Sequence, residues 1–185
     1  MTFTTLSLPG LILIEPQVFG DNRGFFLESY NAKVFAENGI TTQFIQDNHS
    51  QSQNNILRGL HLQLPPFAQT KLVRVTRGQV LDVVVDARPN SPTYKKFEMV
   101  ELSESNKRQL YIPAGFLHGF LTQSPIVDFQ YKVDNYYSKE SEIGVLWNDP
   151  DINISWPANN PELSAKDAIN PRIAEVEEKL SIFKN

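Results

Sequence analysis

Lys71-Leu72-Val73-Arg74-Val75-Thr76-Arg77-Gly78-Gln79-Val80-Leu81-Asp82-Val83-Val84-Val85-Asp86-Ala87 holds two β-branched runs on either side of one Arg-Gly break. β-branched side chains fit a pleated, half-buried surface, and glycine supplies the backbone freedom of a tight turn. The stretch therefore predicts two strands, Lys71 to Thr76 and Gln79 to Ala87, joined at Arg77-Gly78. Working outward, Asn55 to Leu64, Gln43 to Asn48, Gly24 to Tyr30 and Leu11 to Glu15 read as strands on the N-terminal side. Lys96 to Leu102, Gln109 to Ile112, Gly115 to Thr122 and Val127 to Val133 read as strands on the C-terminal side. Clusters of Pro, Gly, Asn and Ser separate them. Many short strands with turn signals between them predict a mainly β chain arranged as a double-sheet jelly roll.

Helical signals lie at the periphery. Asn31 is placed to cap a short helix through Asn38, with Gly39 as its stop. Asp149 to Pro171 is polar and rich in Pro and Asn, which predicts an ordered arm, and Ile173 to Phe183 predicts a charged terminal helix. With 185 residues and neither a repeat nor a linker, residues 1–185 are expected to form one domain.

Composition narrows the functional classes. A net charge of −4 argues against a general nucleic-acid binder, although a few placed Arg and Lys residues suffice for a nucleotide ligand. The absence of Cys excludes disulfides and thiolate metal sites. The first residues lack a basic, apolar leader pattern, and no run approaches the roughly 18 apolar residues of a membrane span. The expectation is a cytoplasmic protein with no membrane partner.

The chain has three histidines, His49, His61 and His118. His118 closes Pro113-Ala114-Gly115-Phe116-Leu117-His118, the P-x-G-x-x-H spacing found in metal-binding jelly rolls of the cupin type. Such proteins also supply H-x-H followed by a carboxylate. Here the matching position after His61 is Gln63, and the next charged residue is the cation Lys71. That donor set is poor for a transition metal, so a bound metal is not expected. Imidazole is instead suited to moving protons near neutral pH, with a carboxylate to orient it. Asp82, Asp86 and Asp167 are candidates for that carboxylate, Tyr131 for a second proton-handling group, and Lys71 or Arg58 for stabilising an oxyanion. Each has a plainer reading: a strand histidine satisfied in place, Tyr131 as core, Lys71 as a solvated residue, Arg23 and Glu28 as a surface ion pair.

Several segments together resemble the dTDP-4-dehydrorhamnose 3,5-epimerase family. They are Phe19 to Phe26, Gln46 to Ser50, Leu57 to His61, Asn106 to Leu110, Ile112 to Phe120, Asn135 to Ser138, Leu146 to Asp149 and Leu163 to Asp167. The resemblance implies a homodimeric, cupin-type double-stranded β-helix acting on a dTDP-linked 4-keto-6-deoxy sugar without metal or cofactor. It places the base on His61, its carboxylate on Asp167, the acid on Tyr131 and an enolate-stabilising cation on Lys71. It places substrate contacts on Arg23, Glu28, Gln46, Asp47, Asn48, Arg58, His118, Glu142 and Lys166. Phe19, Phe26 and Tyr137 are aromatic candidates for stacking on thymine, and Leu64 to Thr70, just before Lys71, is the stretch least like the family.

Two features remain open. A relative inverting only C3 or C5, a metal-dependent cupin and a non-catalytic sugar-nucleotide binder are the alternatives. Strict strand alternation also puts Arg58 and His61 on opposite faces, so both reach one pocket only if the strand is irregular, with Gly59 as the expected bulge.

Overall fold

A computed structural model describes residues 1–158 and 160–183. The strands are β1 (Thr2–Thr5), β2 (Ile12–Glu15), β3 (Val18–Asp21), β4 (Gly24–Leu27), β5 (Gln46–Gln53), β6 (Leu57–Gln63) and β7 (Lys71–Arg77). They continue as β8 (Gln79–Asp86), β9 (Phe97–Ser103), β10 (Gln109–Ile112), β11 (Phe116–Thr122), β12 (Ile126–Val133) and β13 (Glu142–Gly144). Helices α1 (Ala32–Glu37) and α2 (Ile173–Leu180) flank them. One sheet has the order β1-β2-β10-β7-β12-β5 and a second the order β13-β6-β11-β8-β9, while β3 and β4 form a separate hairpin. This is the expected jelly roll.

Both runs of the central hairpin sit where their side chains predict. On β8, Val80 and Val84 join a core between the sheets with Val73, Val75, Leu110, Phe120 and Phe129. Val83 and Val85 face the other way, into a second core with Leu60, Leu117, Val145, Ile152, Ile173, Val176 and Leu180. The polar arm and α2 thus cover the outer face of the five-stranded sheet. Ile173 and Leu180 are fully buried, and each such side chain contributes about 1.5–3 kcal/mol by leaving water. Asp149 ties the arm to the helix by accepting the Ile173 backbone N–H at 2.7 Å.

Asn31 caps α1 by accepting from the Lys33 and Val34 backbone N–H groups, and Gly39 follows the helix at φ +84°. The terminal helix stops at Leu180, short of the predicted Phe183. Strand β5 runs Gln46 to Gln53, later than predicted, and β1, β3 and β13 had no predicted counterpart of their own. No helix among the described residues is long and apolar enough to cross a membrane.

Candidate active site

The two large sheets enclose a cleft of about 730 Å³. Its wall on the five-stranded side carries Arg58 and His61 from β6, His118 from β11 and Glu142 at the start of β13. Its wall on the six-stranded side carries Lys71 from β7 and Tyr131 from β12. The arm adds Lys166 and Asp167. It is held there by a parallel bridge between Ile56 and Glu162 and by the Leu57 backbone N–H donating to the Glu162 carbonyl at 2.9 Å.

The irregularity in β6 lies at the expected place. His61 pairs with His118 and Arg58 with Phe120, so β6 uses one more residue than β11 across this span. Gly59 lies at φ +120°, and a Cβ there would stand 2.6 Å from the Gly119 Cα. Only glycine fits that backbone and that close approach. The extra residue turns both Arg58 and His61 into the cleft.

His61 Nε2 lies 2.5 Å from Asp167 Oδ1, with Asp167 almost fully buried. Burial pushes the Asp167 carboxyl up, but the His61 hydrogen bond and charge, the Ser164 hydroxyl and the Gly59 N–H together bring it below the usual carboxylate range. The ionised carboxylate only accepts, so His61 carries its hydrogen on Nε2 and its lone pair on Nδ1. Of the three carboxylate candidates, Asp82 bonds instead to His118 Nε2 at 2.9 and 3.1 Å. Asp86 holds Arg88, Ser91 and Thr93 in the turn after β8.

On the sheet facing His61, the Lys71 ammonium has no ion pair or hydrogen bond among the described residues. Burial lowers its ammonium to about 8, against the upward pull of the Asp82 and Glu142 charges. Burial raises the Tyr131 phenol, Arg58 lowers it and Glu142 raises it, for a net rise above the usual tyrosine range. Tyr131 therefore holds its proton at neutral pH. Glu142 accepts from the Tyr137 hydroxyl at 2.9 Å and pairs with Lys166, while Arg58 donates to the Ser52 hydroxyl at 3.0 Å.

The other predicted contact residues do not line this cleft. Arg23 sits at the tip of the β3–β4 hairpin, its side chain 90% exposed, and pairs with Asp21 rather than with Glu28. Glu28 is exposed and accepts from Asn31. Asp47 points to the outer face of β5, where Lys132 pairs with it at 2.8 Å. Gln46 and Asn48 continue the inward row of Ser50 and Ser52 beyond the cleft lining, bonded to each other at 2.9 Å. Of the aromatic candidates, Tyr137 lines the cleft, whereas Phe19 and Phe26 pair across the exposed hairpin. Ser50, Ser52, Phe120 and Phe129 line it without having been predicted; in sequence they are ordinary strand residues.

Gln63, at the position of a metal cupin's second histidine, is a structural tie. Its amide donates to the Phe67 and Tyr136 carbonyls at 2.7 and 3.1 Å and accepts from the Ser138 N–H at 2.6 Å. The unfamiliar Leu64 to Thr70 stretch is thereby fastened to the segment delivering Tyr137 and Glu142, and lies outside the cleft lining. Among the described residues, no group of three or more His, Cys, Asp or Glu side chains is placed to hold a metal ion.

Comparison with known proteins gives the family. The family profile described as dTDP-4-dehydrorhamnose 3,5-epimerase matches residues 5–175. The chain belongs to the dTDP-4-dehydrorhamnose 3,5-epimerase family. It is 54% identical over 168 residues to the Shigella flexneri enzyme of that name, covering 90% of this chain and 93% of that one. The Pseudomonas aeruginosa enzyme is 50% identical over 169 residues, with 90% and 93% coverage. Among solved structures, the dTDP-6-deoxy-D-glucose-3,5-epimerase of Legionella pneumophila in complex with dTDP-4-keto-L-rhamnose superposes with TM-score 0.93 at 45% identity. That match covers 97% of this chain and 96% of the Legionella chain. A 3'-monoepimerase from Streptomyces bikiniensis in complex with dTDP-quinovose is similar at TM-score 0.89 and 31% identity, with 95% and 90% coverage.

Proposed function

We propose that residues 1–185 form a single catalytic domain that inverts C3 and C5 of dTDP-4-dehydro-6-deoxy-D-glucose, giving dTDP-4-dehydro-L-rhamnose. The observation carrying this reading is the opposition of a carboxylate-held imidazole on one sheet to a phenol and an ammonium on the other. The C4 ketone acidifies the protons on C3 and C5. His61 Nδ1 takes one of them, and the electron pair moves through the C–C bond onto the ketone oxygen. The Lys71 ammonium stabilises that enolate oxygen. Tyr131 then gives its proton to the opposite face of the same carbon, inverting it and restoring the ketone. His61 ends with one proton more and Tyr131 with one fewer, and exchange with water resets both. Repetition at the second carbon completes the product. Arg58, His118, Glu142 and Lys166 are proposed to bind the substrate within the cleft, where the Arg58 fork and the Lys166 ammonium suit a diphosphate.

The β3–β4 hairpin supports a homodimer. Phe19, Phe25 and Phe26 are 56–66% exposed on it, a concentration of apolar surface that marks an interaction site. A second copy covering the hairpin gives Arg23 and Glu28 a route to the partner's cleft, which their own chain does not offer. Gln46, Asp47 and Asn48 belong to the same proposed binding edge. The site of action is proposed to be the cytoplasm.

The reading predicts conversion of dTDP-4-dehydro-6-deoxy-D-glucose to the L-sugar, followed by proton NMR, at the same rate with and without EDTA and with no cofactor added. Loss of rate in EDTA, restored by a transition metal, contradicts the metal-free route. The protonated form of Lys71 is present below about pH 8 and lost above it. kcat/KM is therefore expected to fall as pH rises through about 8. Tyr131, raised above its usual range, still holds its proton there. Lys71→Gln removes this limb and leaves a low rate; a limb that persists in the variant belongs to another group.

A further inference from the structure

We propose that Asp82 is a positioning residue of the epimerase, a buried anchor that fixes the His118 ring and supplies the counter-charge keeping Lys71 a cation. This rests on the reading of the cleft given above. Asp82 lies on the inward face of β8 between Val80 and Val84, with no exposure to solvent. An aliphatic side chain would pack there at no electrostatic cost, whereas a carboxylate in such surroundings must be offset by positive charge or hydrogen bonds. Among the described residues its one hydrogen-bonding partner is His118, whose Nε2 lies 2.9 and 3.1 Å from its two oxygens. His118 therefore donates from Nε2, and its Nδ1, unbonded among the described residues, is left as an acceptor toward the cleft. Since His118 is the cross-strand partner of His61, Asp82 fixes a ring immediately beside the proposed base.

The cation that Asp82 acts on is Lys71, on the facing sheet. The cleft that holds Lys71 is lined by Glu142 from β13, Arg58 and His61 from β6, His118 from β11 and Tyr131 from β12, with Asp82 behind the His118 ring, and the Asp82 and Glu142 charges act on Lys71. The arm contributes Lys166 and Asp167, both already engaged by Glu142 and His61. Glu142 divides its charge between Lys166, Tyr137 and the cleft. Among the described residues Asp82 has no Lys or Arg bonded to it, and its charge favours the Lys71 ammonium, ahead of that of Glu142. One buried carboxylate thus couples a ring on the base's sheet to the cation on the opposite sheet.

Two substitutions with opposite expected signs test this. Asp82→Asn keeps size and an acceptor for His118 but deletes the charge, so the upper limb of kcat/KM is expected to move down by about one pH unit. His118→Leu leaves the Asp82 carboxylate in place but removes its hydrogen-bond donor, so the same limb is expected to move up. Circular dichroism and thermal melts identify a variant that fails to fold, and the other then carries the test alone. A limb that stays at its wild-type position in a folded variant overturns the proposal and leaves Asp82 a structural residue. Failure of the cleft reading itself shows separately, as wild-type protein that exchanges no substrate protons with solvent.

Discussion

His61→Ala is expected to lower kcat/KM about 100- to 10,000-fold, the usual worth of a general base. His49 cannot replace it, because it lies on the outer face of β5, near Asp128; His118 is the other imidazole lining the cleft, and any residual rate is expected to come through it. The substitution also leaves Asp167 buried without its main partner. Because the folded-state Asp167 carboxyl is held below its usual value, the pairing contributes stability above about pH 4 and loses it as pH falls further. The variant is therefore expected to melt somewhat lower at neutral pH, and to come closer to wild type in acid. Steady-state kinetics and melts across pH check both halves. A variant of near wild-type rate removes His61 from the mechanism.

Tyr131→Phe is expected to separate proton removal from inversion. The ring remains on β12 beside Phe129, so the cleft wall keeps its shape, and His61 still takes protons from the substrate. What is lost is delivery from the opposite face. Net inversion is expected to fall by about 100-fold or more, while exchange of substrate protons with solvent continues. Parallel assays of product and of label in recovered substrate measure the two rates. If both vanish together, Tyr131 does more than return the proton.

The β-branched runs around Arg77-Gly78 were legible because β8 packs a core on each face and β7 packs Val73 and Val75 in one core and Leu72 in another, where side-chain shape dominates. Strand β5 was placed too early for the opposite reason: Gln46 to Gln53 is polar throughout, since its inner row borders a wet cleft and its outer row faces solvent. The short strand β13 has only Glu142, Ile143 and Gly144 and forms by pairing with β6, a contact distant in sequence that carries no local signal. The bulge at Gly59 was legible from the conflict between alternation and two chemically useful residues, Arg58 and His61. The partner of each histidine was not. Spacing left Asp82, Asp86 and Asp167 equivalent, and only the return of the arm over the five-stranded sheet brings Asp167, 106 positions further along, to His61. The positions of Arg23 and Glu28 outside their own chain's cleft were also beyond reading, because β3 and β4 pair only with each other and their local sequence does not say where that hairpin sits relative to the two large sheets.

Incubation of the wild-type protein with dTDP-4-dehydro-6-deoxy-D-glucose in heavy water, followed by NMR of the sugar, tests the central claim most directly. Deuterium at both C3 and C5 of an L-configured product is the result predicted. Deuterium at one of the two carbons contradicts double inversion and points to a monoepimerase, and deuterium at neither contradicts proton-transfer catalysis in this cleft altogether.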